Sequence, residues 1–185
     1  GMLLPDEYIR SLSDAVHAVG GLFVLDCIAS GELWVDMKAC GVDVLISAPQ
    51  KGWSSSPCSA LVMLGAEALK RLESTTSSSF ACDLQKWREI MQAYENGGHA
   101  YHATLPTDAL KKFRDAMKET GAVGFEKVRE RQLELGRSVR ELLESRGYPS
   151  VAAEGFQAPG VVVSYTDDAE IQNGYRRVIL LTDGM

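Results

Sequence analysis

The stretch LISAPQKGWSSSP, Leu45 to Pro57, begins as an apolar run, breaks at Pro49 and leaves Lys51 just beyond, in a loop of Gly, Trp, Ser and Pro. Upstream, LFVLD, Leu22 to Asp26, is a second short apolar run, and it ends in a carboxylate. Taken singly, each charge is ordinary: a loop lysine is a solvated cation, and an aspartate after a strand is a helix cap or a turn residue. As a pair they match what one cofactor needs. Pyridoxal phosphate forms a Schiff base with a lysine amine and draws the electrons of a carbanion into its pyridinium ring. An acidic partner keeps the ring nitrogen protonated.

Asp26 and Lys51 can meet only if the surrounding elements carry them to one edge. Residues Pro5 to Val19 place Tyr8, Leu12, Ala15, Val16 and Val19 at helical spacing, with Pro5 at a first turn and Gly20-Gly21 as a stop. Leu22 to Asp26, Asp43 to Ala48 and Ala60 to Leu64 read as strands, the first of them covered on both faces as in a parallel sheet. VDMKACG is a short helix closed by Gly41, and AEALKRLES is another. Ser74 to Ser79 is a polar loop. A helix capped by Asp83 runs to Gly97-Gly98, one opens at Pro106 or Thr107, and a long one occupies Gly121 to Arg146. Phe125, Val128, Leu133, Leu135, Val139, Leu142 and Leu143 would form the apolar face of that last helix. GVVVSYT and RVILLT read as late strands.

Alternation of helix and strand in the first half argues for an α/β sheet packed by helices, and the later residues for an α+β region. The expected division is an α/β domain over residues 2–120 and a long helix entering an α+β region over 121–185. In open α/β sheets, ligands sit beyond the carboxyl ends of the strands, where both Asp26 and Lys51 fall. The chain has 185 residues, 45% of them hydrophobic, and a formal net charge of −6. That charge does not favour nucleic acid, whose binding needs a basic face. No apolar run approaches the roughly 20 residues that cross a bilayer, and no secretory signal is visible. Cys27, Cys40, Cys58 and Cys82 show neither CxxC nor zinc spacing and read as reduced, mostly packed thiols in a cytoplasmic protein. His99 and His102 lie three residues apart but lack supporting ligands, so no metal site is expected. Trp53 and Trp87 read as packing residues.

VLDCIASGELWVDMKACGVDVLISAPQKGWSSSPCSALVML resembles the class V, fold-type I pyridoxal-phosphate aminotransferases, and within them the alanine–glyoxylate, serine–glyoxylate and serine–pyruvate group. The shared features are Asp after an apolar strand, a Ser-Gly turn, GVDVL, and Gln-Lys-Gly before a small Ser/Pro-rich loop. YHATLPTDALKKFRDAM is similar to the group's Tyr-His-x-Thr-x-Pro segment before a helix. The resemblance runs from about Leu3 to about Thr166.

The resemblance implies a partial fold-type I large domain, a mainly parallel sheet flanked by helices, leading into part of a small α+β domain. Lys51 would be the Schiff-base lysine and proton shuttle, and Asp26 the partner of the pyridine nitrogen. Ile28 would pack on one ring face, and Gln50 would help hold the phosphate. Tyr101 and Thr104 would reach the phosphate bound in the other subunit of a homodimer. The implied reaction moves an amino group from a small amino acid such as alanine or serine to a 2-oxo acid, glyoxylate or pyruvate. A cysteine desulfurase or lyase of the same fold is the alternative; those relatives usually carry a His where Gln50 stands. A non-catalytic, oligomerising remnant is the other. The family's phosphate-binding turn and its stacking aromatic precede the Asp-bearing strand, and its substrate-carboxylate arginine comes late. None of these is matched here, Arg176 and Arg177 included, so the isolated chain is expected to be weak or inactive in transamination while still able to form a Schiff base with pyridoxal phosphate through Lys51. Strand edges left uncovered invite pairing with another chain, which predicts a tight homo-oligomer.

Overall fold

The computed structural model describes residues 1–30, 33–169 and 171. The strand expected at RVILLT lies outside the described residues. Two compact units divide the chain, Pro5–Val128 and Gly1–Leu4 with Arg129–Met185. The larger contains α1 (Asp6–His17), β1 (Val24–Asp26), α2 (Met37–Cys40), β2 (Val44–Ser47), β3 (Leu61–Leu64), α3 (Ala66–Glu73), α4 (Leu84–Glu95) and α5 (Thr107–Val123). The boundary falls within α6 (Phe125–Ser145).

Local chemistry explains these bounds. Asp36 caps α2 by accepting hydrogen bonds from the Lys38 and Ala39 amides, both at 3.0 Å. Gly41 ends it at φ 68°, where a side chain would be strained, and an added Cβ would stand 2.1 Å from Ser13 Oγ. Asp83 caps α4 through the Lys86 amide at 3.1 Å. The break between the last two long helices is not at Gly121, which stays within α5, but at Gly124, whose φ of 98° ends the helical run.

β1 and β2 pair in parallel, Asp26 opposite Ile46, whereas β2 and β3 pair antiparallel, Ser47 opposite Leu61. The sheet is therefore small and mixed rather than mainly parallel. The reason is the connection: a parallel return needs a crossover, usually helical, and residues 48–60 contain no helix. β1 is an edge strand among the described residues and is covered on one face only, Val24 and Asp26 being exposed. On the covered face Ile9, Cys27, Cys40, Val42 and Leu45 form the core, with Phe23, Leu25, Val35 and Met37 packed on it. Burial, reinforced by Asp6 and Asp36, pushes the Cys40 thiol above its ordinary pKa.

Two expected apolar faces are not the buried ones. α1 buries Ile9 and Ser13, while Tyr8, Leu12 and Val19 stay exposed. Ser13 Oγ donates to the Gly41 carbonyl at 2.7 Å, so the close approach to the α2 cap, rather than the apolar stripe, decides which side turns inward. In the smaller unit, α6 buries Gly136 and Arg140, and Leu133, Leu135, Val139 and Leu142 are exposed. What packs there is irregular backbone: Gln132 donates to the Pro159 carbonyl at 3.1 Å, and Arg140 to the Ala158 carbonyl at 3.0 Å. Such a surface calls for long donors and for a glycine at the closest approach, and a Cβ on Gly136 would meet the Pro159 backbone at 2.5 Å. The predicted strand GVVVSYT is reduced to one bridge, Ser150 to Ser164.

Candidate functional site

The parallel register of β1 and β2 sets the geometry of the site. Asp26 ends β1 opposite Ile46, and the Cys27 amide donates to the Ile46 carbonyl at 2.7 Å, carrying the ladder one step past the strand. Neighbouring strands lie about 4.8 Å apart, so the chain leaves both strands side by side at one sheet edge. Asp26 Oδ1 accepts from the Ile28 amide at 2.9 Å, a local turn that holds the carboxylate at the strand mouth and leaves Oδ2 without a hydrogen bond among the described residues. Ile28 is half-buried.

From β2 the chain enters a tightly wound loop. Ala48 and Pro49 are buried, Pro49 fully, whereas Gln50 and Lys51 are exposed. The Lys51 amide donates to the Ala48 carbonyl at 3.3 Å, the Ser54 amide to Lys51 at 3.0 Å and the Ser55 amide to Pro49 at 3.1 Å. Ser54 adopts φ 50°, in the left-handed region. Trp53 is packed among Trp34, Phe113 and Phe125. Sequence reasoning had read Trp53 as packing and did not single out Trp34; its placement after Asp26, as Trp53 follows Lys51, was the signal available.

These residues suit the cofactor that the pair suggests. Neither Asp26 nor Lys51 is in an ion pair among the described residues, so a free carboxylate oxygen and a free amine stand at neighbouring strand ends. Ser47 Oγ and Ser55 Oγ, on the same stretch of chain, are buried hydroxyls with no hydrogen-bond partner among the described residues. A free anionic oxygen for a protonated ring nitrogen, an amine for an aldehyde and spare hydroxyl donors compose a fitting donor set.

Tyr101 and Thr104 are joined to each other, Tyr101 Oη lying 3.0 Å from Thr104 Oγ1, and Tyr101 is 77% exposed. Neither is hydrogen-bonded to the Lys51 loop among the described residues. His102 between them is fully engaged: its ring lies 4.1 Å from that of Phe80 and 5.1 Å from that of Trp87, and Nε2 is 2.9 Å from the Phe80 carbonyl. Among the described residues no group of three or more His, Cys, Asp or Glu is placed to hold a metal ion, and no helix is long and apolar enough to cross a membrane. A groove of about 470 Å³ lined by His17, Asp43, Lys70 and Arg71 lies at the opposite end of the strands. Its buried carboxylate, Asp43, is already bonded to His17.

No protein-family model matches the chain. It is 25% identical over 167 residues to a protein of Synechococcus sp. called the small subunit of soluble hydrogenase, covering 89% of this chain and 42% of that one. It is 30% identical over 128 residues to alanine–glyoxylate aminotransferase 1 of Saccharomyces cerevisiae, covering 64% of this chain and 33% of that one. The crystal structure of an alanine–glyoxylate aminotransferase from Nostoc sp. superposes with a TM-score of 0.80 at 20% identity, covering 95% of this chain and 46% of that one. The ureidoglycine–glyoxylate aminotransferase of Bacillus subtilis superposes with a TM-score of 0.72 at 17% identity, over 91% of this chain and 43% of that one. The chain thus spans less than half the length of the relatives it matches. Its α/β architecture, with the small mixed sheet whose strand ends lead to Asp26 and the Lys51 loop, is part of the fold of the class V, fold-type I aminotransferases.

Proposed function

We propose that this chain is the lysine-bearing part of a pyridoxal-phosphate-dependent aminotransferase that moves an amino group from a small amino acid, alanine or serine, to glyoxylate or pyruvate. One observation carries the reading: the register of β1 on β2 brings the exits to Asp26 and Lys51 to the same sheet edge, with both side chains free of ion pairs among the described residues. When bound, the cofactor supplies an electron sink for the carbanion formed at the amino acid's α carbon. Lys51 Nζ holds and returns the proton at that carbon, acting as a general base and then as a general acid. Asp26 would hold the protonated ring nitrogen through its carboxylate, which the Ile28 turn fixes at the strand mouth. Ile28 offers an apolar face and Gln50 a donor to phosphate. Tyr101 and Thr104, exposed and mutually bonded, suit a role across a homodimer interface. The larger part, residues 2–120, would hold the cofactor in a cytoplasmic enzyme, and residues 121–185 would belong to the C-terminal region.

Incubation with pyridoxal phosphate tests this directly. A visible absorption band should form, borohydride reduction should fix the adduct on Lys51, and Lys51→Ala should abolish both. Absence of the band, or its survival in that variant, would falsify the assignment. Within the same fold, Gln50 in the place where desulfurases usually show a His favours the transaminase over the desulfurase. Release of sulfide from cysteine with no amino transfer to glyoxylate would reverse that choice.

A further inference from the structure

Two loops carry the proposed site, and each contains one tryptophan. Trp34 lies in the segment between β1 and α2, downstream of Asp26, and Trp53 lies next to Gly52 in the loop that bears Lys51. The two rings meet with centroids 5.4 Å apart, tilted by 51°. Phe125 stands edge-on to both, at 5.2 Å from Trp34 and 6.4 Å from Trp53, and the buried Phe113 of α5 packs edge-on to Trp53 at 5.7 Å. Trp34 Nε1 also donates to the Phe125 carbonyl at 3.4 Å. These separations fall in the range of attractive edge-to-face and offset ring pairs.

The loop needs such an anchor. Gly52, between Lys51 and Trp53, has no side chain to pack, and Ser54 sits at φ 50°, which residues other than glycine disfavour. Among the described residues, the backbone hydrogen bonds around Lys51 are internal to residues 48–55 and fix the loop's shape without tying it to another element. The ring cluster supplies that tie, and through Trp34 it ties the lysine loop to the loop that follows the carboxylate.

We propose that Trp53, clasped by Trp34, Phe113 and Phe125, is the positioning residue for Lys51, and that the cluster sets the place of the amine relative to Asp26. The inference rests on the pyridoxal-phosphate reading above. It concerns where the amine is held, not the chemistry it performs.

The test uses the full chain, pyridoxal phosphate as probe and borohydride to fix what has bound, with peptide mass mapping to compare adduct at Lys51 with adduct at the exposed Lys118. Circular dichroism scores folding for each variant. In the parent chain Lys51 should dominate. Trp53→Ala should lower the ratio of Lys51 to Lys118 adduct about tenfold or more, since small misplacements of reacting groups cost that much. Trp53→Phe, which keeps a ring in the cluster, should restore most of it. Phe125→Leu removes two edge contacts and should lower the ratio about three- to tenfold. A Trp53→Ala chain that is folded and keeps the parental ratio overturns the proposal. Should that variant not fold, Phe125→Leu decides, and an unchanged ratio there overturns it equally. A parent chain with no preference for Lys51 refutes the cofactor reading itself, an outcome distinct from the other two.

Discussion

The two ends of the β1–β2 pair use the same kinds of residue in opposite ways. At the amino end, Asp43 Oδ2 accepts from the Phe23 amide at 2.7 Å and lies 2.7 Å from His17 Nε2. The Asp43 amide donates to the Phe23 carbonyl at 3.0 Å, and its carbonyl accepts from Gly65 at 2.7 Å. One buried aspartate thus joins α1, β1, β2 and the end of β3. At the carboxyl end, Asp26 makes one local turn contact and Lys51 no ion pair among the described residues. Polar groups that are fully satisfied stabilise a fold and have nothing left to offer a ligand. Groups left open at a strand mouth contribute little to stability and remain available for chemistry.

This contrast can be broken or sharpened by substitution. Gly41→Ala should have the largest effect, because it combines a left-handed backbone with a collision against Ser13. A loss of about 2–4 kcal/mol is expected in urea unfolding. Asp43→Ala leaves the part-buried Phe23 amide without its acceptor and should cost about 1–3 kcal/mol by the same measurement. Its folded fraction should still capture pyridoxal phosphate at Lys51. At the other end, Asp26→Asn and Lys51→Ala should each shift stability by no more than about 0.5 kcal/mol. The contrast fails if either costs as much as Asp43→Ala.

Two smaller effects follow from titration. The buried Cys40 thiol has its pKa raised, so the native state holds that proton more tightly than the unfolded chain. This contribution is intact below the unfolded thiol's pKa and is lost as pH rises through and beyond it. Cys40 should react with a thiol reagent far more slowly than the exposed Cys82, and parity between them in the native protein would contradict the packing. Asp115 shifts the other way: the hydrogen bond from Arg114 holds its carboxyl below the usual range. Its contribution is present at neutral pH and disappears as pH falls through the lowered value. Both side chains are about half open to solvent, which screens the pair, so the effect on stability should be the smallest here. An NMR titration should find the Asp115 midpoint returning to the ordinary range in Arg114→Ala.

Much of the local structure was legible because its causes are local. Pro5 and Gly20 bracket α1, Asp36 and Gly41 bracket α2, and Asp83 starts α4, each through a cap or turn contact a few residues away. The candidate pair was legible too, since a strand's carboxyl end can be read from where an apolar run stops. Periodicity failed where the packing surface was not an apolar one. Nothing within α6 reveals that Gln132, Gly136 and Arg140, rather than Leu135, Val139 and Leu142, face the segment around Ala158 and Pro159.

The sequence by itself determined the helices and strands from α1 to α4, where the amine and the carboxylate follow their strands, and which residues cap α2 and α4. The tertiary structure alone decided that β3 runs antiparallel, that Asp26 lies opposite Ile46, and that Trp34 and Trp53 meet. The physical reason is range. Caps and turns are set by hydrogen bonds within a few residues, whereas register, strand direction and ring contacts depend on surfaces supplied by chain tens of residues away.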